Sequence, residues 1–280
     1  MSDLAVGLST GCFYQTRLVD CLDRIRHAGF EAIEVCSLPS HLDYHDLKLV
    51  QKARHRMDDL GIRPYSFHAP FAETIDITAL DARKRDTAIA ELRYAVEAAA
   101  TIGVRFMVVH PGPERGGFPE ADRAERLANA VTALDGVAET CRQGQMTLAV
   151  ENMLPHLFLG GADDFLQVVK SLTSPNVGIC LDTGHAFLAG NLRVMTETAG
   201  RRLRLIHAHD NLGHYDDHLP PGAGKIPWRS WWTDVAAIGY HGPIILEIAG
   251  HPDLQAVLKD AVRGQQFIRR LATERTEAPE

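Results

Sequence analysis

The chain has 280 residues, 45% of them hydrophobic and 23% charged, with a formal net charge of −7. That length suits one domain with a large buried core, and the acidic balance counts against nucleic acid as the partner, because phosphate backbones are held by basic surfaces. Five cysteines without a C-x-x-C pair fit a reduced, cytoplasmic setting. No basic, then apolar, leader opens the sequence, and no apolar run reaches the roughly 18 residues that span a bilayer.

Short apolar runs alternate with amphipathic stretches along the chain. Strands are predicted at 4–9 and 32–35, with a helix over 17–28 between them that stops at Gly29. A helix at 44–60 stops at Gly61 and leads to strand three, 62–67. The alanine-rich helix 81–102 ends at Gly103 before strand four, 104–109. Helix 119–142, strand 146–150, helix 163–172 and strand 177–181 follow. A short helix at 191–200, strand 203–208, a Gly- and Pro-rich loop 211–227, helix 228–238, strand 243–248 and helix 253–271 complete the pattern. Eight short, apolar strands, each followed by a helix, predict an α/β fold: a single-domain (β/α)8 TIM barrel over residues 1–272, with 273–280 a polar, flexible tail. An open doubly wound sheet is the rival, and no G-x-G-x-x-G follows the first strand to support it.

Such barrels place their chemistry at the C-terminal ends of the strands. Strand three ends in His68, strand four in His110 and strand five in Glu151. Strand six ends in Asp182, with His185 three residues on. Strand seven ends in His207 and His209, its loop holds Asp216 and His218, and strand eight ends in Glu247. A single histidine at a strand end is more often structural than metal-ligating. Six consecutive strands ending in His, Asp or Glu are another matter, because carboxylates crowded around one mouth repel unless cations sit among them. Mixed His and carboxylate donors suit Zn²⁺ best, with Mn²⁺ or Fe²⁺ as alternatives, and nothing calls for an organic cofactor.

These motifs, FHAP, HPG, VEN, HAHDN, DDH and LEI, together with VGICLDTGHAFLAGNLR at 177–193, resemble the xylose-isomerase-like TIM barrels. That superfamily includes endonuclease IV and the sugar isomerases and epimerases. The resemblance implies metal ligation by nine positions: His68 and His110 on a first ion, Glu151 bridging to a second, Asp182, His207 and Glu247 completing the second, and His185, Asp216 and His218 on a third. It equally implies a single-metal set of Glu151, Asp182, His207 and Glu247, as in the epimerases. His209 is the less expected ligand, since the H-x-x-D pattern favours His207.

Two reactions fit. In phosphoester hydrolysis, clustered metals activate water and hold the phosphoryl oxygens of a small sugar or phosphate substrate. In isomerisation or epimerisation of a sugar or sugar phosphate, Glu151 and Glu247 act as acid and base while His185 touches a substrate hydroxyl. The joint presence of His68, His110, Asp216 and His218 favours hydrolysis. A barrel that only binds a ligand or stores metal is a third reading. Lys225, Glu34, Phe71 and His209 are candidate substrate contacts. Glu34 has a second reading, orienting a ligand histidine. Trp228, Trp231 and Trp232 read as helix-on-barrel packing, with a homo-oligomer interface as the alternative. Cys36 and Cys180 read as inert buried thiols.

Overall fold

In the computed structural model, which describes residues 4–274, every expected strand and helix is present, with ends shifted by a few residues. The strands are β1 (Val6–Ser9), β2 (Ala32–Cys36), β3 (Arg63–His68), β4 (Phe106–Val109), β5 (Thr147–Glu151), β6 (Val177–Asp182), β7 (Leu203–Ala208) and β8 (Ile244–Leu246). All pair in parallel, each with the next, and β8 closes onto β1, giving a closed eight-stranded barrel. The helices are α1 (Leu18–His27), α2 (Leu47–Leu60), α3 (Ala82–Ile102), α4 (Arg123–Gln143), α5 (Ala162–Ser171), α6 (Thr183–Leu188), α7 (Leu192–Ala199), α8 (Trp228–Ala237) and α9 (Leu254–Glu274).

Local chemistry sets the boundaries. The Asp46 and Asp81 carboxylates accept backbone N–H groups at the starts of α2 and α3, which is why α2 begins at Leu47 rather than at Tyr44. Gly61 and Gly103 end the same helices with φ of 63° and 78°, a left-handed turn that glycine adopts without strain. A 3-10 turn over Glu120–Asp122 delays α4 to Arg123. The last helix runs to Glu274, so Thr273 and Glu274 of the expected tail belong to it; the rest of that tail, 275–280, lies outside the described residues.

Alternation along the strands builds the barrel in layers. One face of each strand meets the helices, where most of the core lies, including Trp228, Trp231 and Trp232. The other face points inward. There Val108, Ala149, Cys180, Leu205 and Ile245 form an apolar plug, with Tyr65 against it. Two residues further along the same five chain segments come His110, Glu151, Asp182, His207 and Glu247. A period of two therefore stacks a polar layer directly on the plug, at the C-terminal mouth.

Candidate metal centre and active site

The polar layer is buried and closely meshed. Glu151 is 1% exposed, while Asp182, His207 and Glu34 are completely buried. The Nδ1 of His207 lies 2.9 Å from Glu151 and 3.2 Å from Glu247. Its Nε2 lies 2.9 Å from Glu34, whose carboxylate also accepts the hydroxyls of Ser9 and Ser66. Glu34 thus orients a histidine from beneath.

Four other histidines are aimed the same way by their second nitrogen. The Nδ1 atoms of His68, His185 and His218 face the carbonyls of Ala69, Asn152 and Glu247 at 2.9, 2.9 and 3.1 Å. That of His110 faces the Glu114 carboxylate at 2.6 Å. A carbonyl only accepts, so Nδ1 carries a proton, and in the neutral ring that a metal takes Nε2 points its lone pair into the mouth, the arrangement of metal-binding imidazoles.

Those Nε2 atoms converge on carboxylates without making good hydrogen bonds to all of them. Glu151 Oε2 has His68 and His110 Nε2 at 3.2 and 3.3 Å, yet it is a buried oxygen with no hydrogen-bond partner. Asp216 Oδ2 lies 3.0 Å from His218 Nε2 and 3.4 Å from His185 Nε2, and Asp216 Oδ1 is likewise buried and unpartnered. Donor atoms of Glu151, Asp182, His207 and Glu247 lie within 4.8 Å of one another, as do those of His68, Glu151 and His207, of Asp182, His185 and His209, and of His209, His218 and Glu247. Orphaned buried carboxylate oxygens beside lone-pair nitrogens are what a divalent-cation site needs, so the residues fit the group.

The backbone contributes as well. His218 holds a φ of 46°, in the left-handed region that a non-glycine residue rarely adopts. Its loop is pinned by Asp210, whose buried carboxylate accepts the N–H groups of Asn211, Gly222 and Ile226 and the Trp228 indole N–H at 2.7 to 3.0 Å. Asp210→Ala would leave these buried donors unmatched, and we expect it to destabilise the protein by about 3 kcal/mol. An unchanged urea midpoint would show that the loop is held by other means.

A cavity of about 290 Å³ opens above the polar layer. His68, His110, Glu114, Glu151, His185, Asp216, His218 and Glu247 line its polar side, and Tyr14, Leu38, Phe71, Met153, Leu154, Leu157 and Ile248 its apolar side. Among the described residues, no lysine or arginine lines it. Phe71 packs against the rings of His68 and His110, with centroids 4.9 and 5.2 Å away.

Three expected substrate contacts lie outside the cavity lining, the first of them the completely buried Glu34, which faces His207 instead. Lys225 is exposed on its loop and outside the cavity lining. His209 is completely buried, with Nε2 3.0 Å from both Asp182 oxygens and its ring stacked 4.0 Å from that of His218. It reaches the Asp182 and Asp216 groups rather than the cavity because Gly184 leaves it room: a Cβ there would sit 2.0 Å from the ring. Glu114 and Asn152 were not foreseen. Asn152 grips the Asp182 backbone through both its side-chain atoms, at 2.8 and 3.1 Å.

With this geometry a family comparison is decisive, because the model of the xylose isomerase-like TIM barrel family matches residues 22–271. The chain belongs to that family. A Methanocaldococcus jannaschii protein, named only as uncharacterized, is 28% identical over 276 residues, covering 95% of this chain and 89% of that one. A Streptomyces coelicolor protein named probable endonuclease 4 is 28% identical over 216 residues, covering 68% of this chain and 70% of its own. Among solved structures, a D-tagatose 3-epimerase-like protein superposes with a TM-score of 0.85 at 26% identity, over 98% of this chain and 99% of that one. D-psicose 3-epimerase, at 18% identity and a TM-score of 0.81 over 96% of this chain and 99% of its own, shares the fold. Enzymes of this family join a common barrel to different reactions, so the side chains at the mouth must decide between them.

Electrostatics at the mouth of this family member give a pH prediction. Burial opposes charging of His110, but Glu114 and Glu151 outweigh it and push the imidazole up to about 9. Burial is outweighed in the same way for His218 by Asp216, again to about 9. The carboxylates move oppositely: against burial, His207 with His110 and His68 lowers Glu151, and His185 with His218 lowers Asp216. A histidine raised from 6.5 to about 9 contributes stability that is complete below 6.5 and lost as the pH rises through about 9. The lowered carboxylates contribute above their ordinary range, near pH 4, and lose it as the pH falls. The metal-free protein is therefore expected to melt progressively lower from pH 6.5 to about 9. Thermal melts of chelated protein that stay flat or rise across that window would contradict it.

Proposed function

We propose that this chain is a divalent-metal-dependent hydrolase of phosphate esters or phosphodiesters of small, sugar-containing molecules, with a multinuclear site of up to three ions. One observation carries the reading: His185, Asp216 and His218 converge beside a ligand set, Glu151, Asp182, His207 and Glu247, that is already sufficient for one ion. His68 and His110 add a third direction of approach through Glu151 Oε2. Zn²⁺ suits these donors best, and bound ions would supply an activated water and neutralise the phosphoryl charge.

The chain's own residues do the rest. Glu151 spans two groups, with Oε1 toward His207 and Oε2 toward His68 and His110. Glu34 and Asn152 fix the orientation of His207 and the Asp182 backbone. Phe71, Leu38 and Ile248 wall the cavity with apolar surface and limit bulk water at the reacting centre. With no lysine or arginine on the lining among the described residues, the charge of a phosphoryl group has to be met by ions held in the mouth. A cavity of about 290 Å³ suits a sugar-sized group.

Sugar isomerisation or epimerisation is the second reading. It is favoured by the complete four-residue set and by Glu247 and Glu151 flanking the same His207 nitrogen, positions from which two carboxylates can exchange a proton with substrate. The 26% identical D-tagatose 3-epimerase-like structure adds to it.

Metal content, measured on protein purified without chelator or histidine tag, separates the two. The proposal expects two or three equivalents per chain and release of 4-nitrophenol from bis(4-nitrophenyl) phosphate. A single equivalent, with interconversion of ketohexoses and no phosphoester cleavage, would overturn it.

A further inference from the structure

Arg105 sits directly before β4, at the end of the barrel opposite the mouth, and two clefts meet there. One, of about 940 Å³, is lined by Arg54, Arg63 and Arg105, with Tyr65, Gln143 and Gln145 among its other walls. The other, of about 500 Å³, is lined by Arg105, Arg201 and Arg204, with Tyr240 and His241. Both are larger than the cavity at the mouth.

Their charge runs against that of the chain, which carries 36 acidic residues to 29 basic ones. Among the described residues Asp58 is the one carboxylate on either lining, and Arg54 engages it at 2.8 Å. Arg54 and Arg204 also donate to backbone carbonyls, Ile102 in one case and Arg201 and Leu203 in the other. Such contacts are the ordinary use of arginine near helix ends and strand starts. Arg63, Arg105 and Arg201 make no ion pair and no side-chain hydrogen bond among the described residues. Arg63 and Arg105 instead lie over the rings of Tyr65 and Phe106, 5.7 and 5.3 Å from the centroids, which restrains where their guanidinium groups point. Arg204 is restrained too, because its stem lies across Gly178, where a Cβ would come within 2.2 Å of Arg204 Cγ.

Several guanidinium groups held on one face, with their donors unengaged, repel each other and match the oxygens of phosphate or sulfate groups. We propose that the floor of the barrel binds a small polyanion bearing several phosphate or sulfate groups, with Arg105 shared between its two clefts. This site is separate from the mouth and does not depend on which reaction the mouth performs.

Sucrose octasulfate is a suitable probe: it is multiply charged, its sulfate esters do not strip metals, and it is too large for the mouth. Titrated calorimetrically into the metal-loaded protein at low ionic strength, it is expected to bind saturably. Binding should weaken as salt is added. Arg105→Ala should weaken it at least about tenfold, a change readily resolved in Kd. The same variant should keep metal content and turnover, because Arg105 supports the barrel through its backbone, with N–H to Tyr65 and carbonyl to Thr147. Arg63→Ala, at a second exposed position on the larger cleft, should weaken binding as well. Absence of saturable binding, or an affinity unchanged in Arg105→Ala, would overturn the proposal.

Discussion

Glu151→Gln is expected to cut turnover by about 10³-fold or more, a loss of about 4 kcal/mol of transition-state stabilisation, while the barrel stays folded. The substitution keeps the shape of the side chain, so packing at the end of β5 is preserved. What changes is charge and donor character. Oε1 faces His207 at 2.9 Å and Oε2 faces His68 and His110 at 3.2 and 3.3 Å, so the ion-pair partners of this carboxylate among the described residues are all imidazole nitrogens. An amide N–H on either side would donate to and occupy a lone pair that a cation needs, and the anion that balances the site would be gone. Both readings of the mouth place Glu151 at their centre, as a ligand shared between groups or as a base. Steady-state kinetics and circular dichroism on the variant test this directly. Turnover equal to that of the parent would remove the common core of both readings, and loss of folded signal would show that the charge cluster holds the barrel together even without its ions.

The fold was legible in the sequence because its signals are local and repeated. Apolar runs too short for helices, separated by amphipathic stretches that stop at Gly29, Gly61 and Gly103, leave little besides a parallel barrel. The candidate site was legible for the same reason: with the plug at Val108, Ala149, Cys180, Leu205 and Ile245, the residue two positions on has to face the mouth. What escaped depended on contacts between distant segments. Helix α6 is a single short segment, started by Asp182 accepting the His185 N–H at 2.7 Å, and nothing in its periodicity announces it. Glu114 gains meaning only once His110 is seen 2.6 Å away, although its spacing of four from that histidine was a hint. His209 shares its strand parity with His207, so alternation could not tell a buried partner of Asp182 from a substrate contact; the decisive feature was the space above Gly184. Lys225 lies on a loop whose course is set by the distant Asp210 carboxylate, with the Lys225 N–H donating to the Asn211 carbonyl at 2.9 Å, so sequence alone could not place its side chain relative to the cavity.

The sharpest division between the two reactions falls on His218. If His185, Asp216 and His218 hold an ion of their own, His218→Ala removes one equivalent of metal and lowers phosphoesterase turnover by at least about 10²-fold, the usual cost of losing one charge-stabilising group. Truncation removes the nearest imidazole from Asp216 and leaves it His185 at 3.4 Å and His209 at 3.7 Å among the described residues. The backbone needs a separate control, since His218 sits at a φ of 46°, where alanine is strained. His218→Asn supplies it, because asparagine tolerates that region yet cannot present an imidazole. The two variants should lose the same metal equivalent, and the asparagine form should melt closer to the parent. Metal bound only by the folded state raises its stability, by about 4 kcal/mol at a thousandfold excess over Kd, so the lost ion should also appear as a smaller drop in melting temperature on chelation. Retention of all bound metal in both variants would make Asp216 and His218 wall residues of the cavity and leave Glu151, Asp182, His207 and Glu247 as a single-ion set, the arrangement on which epimerisation rests.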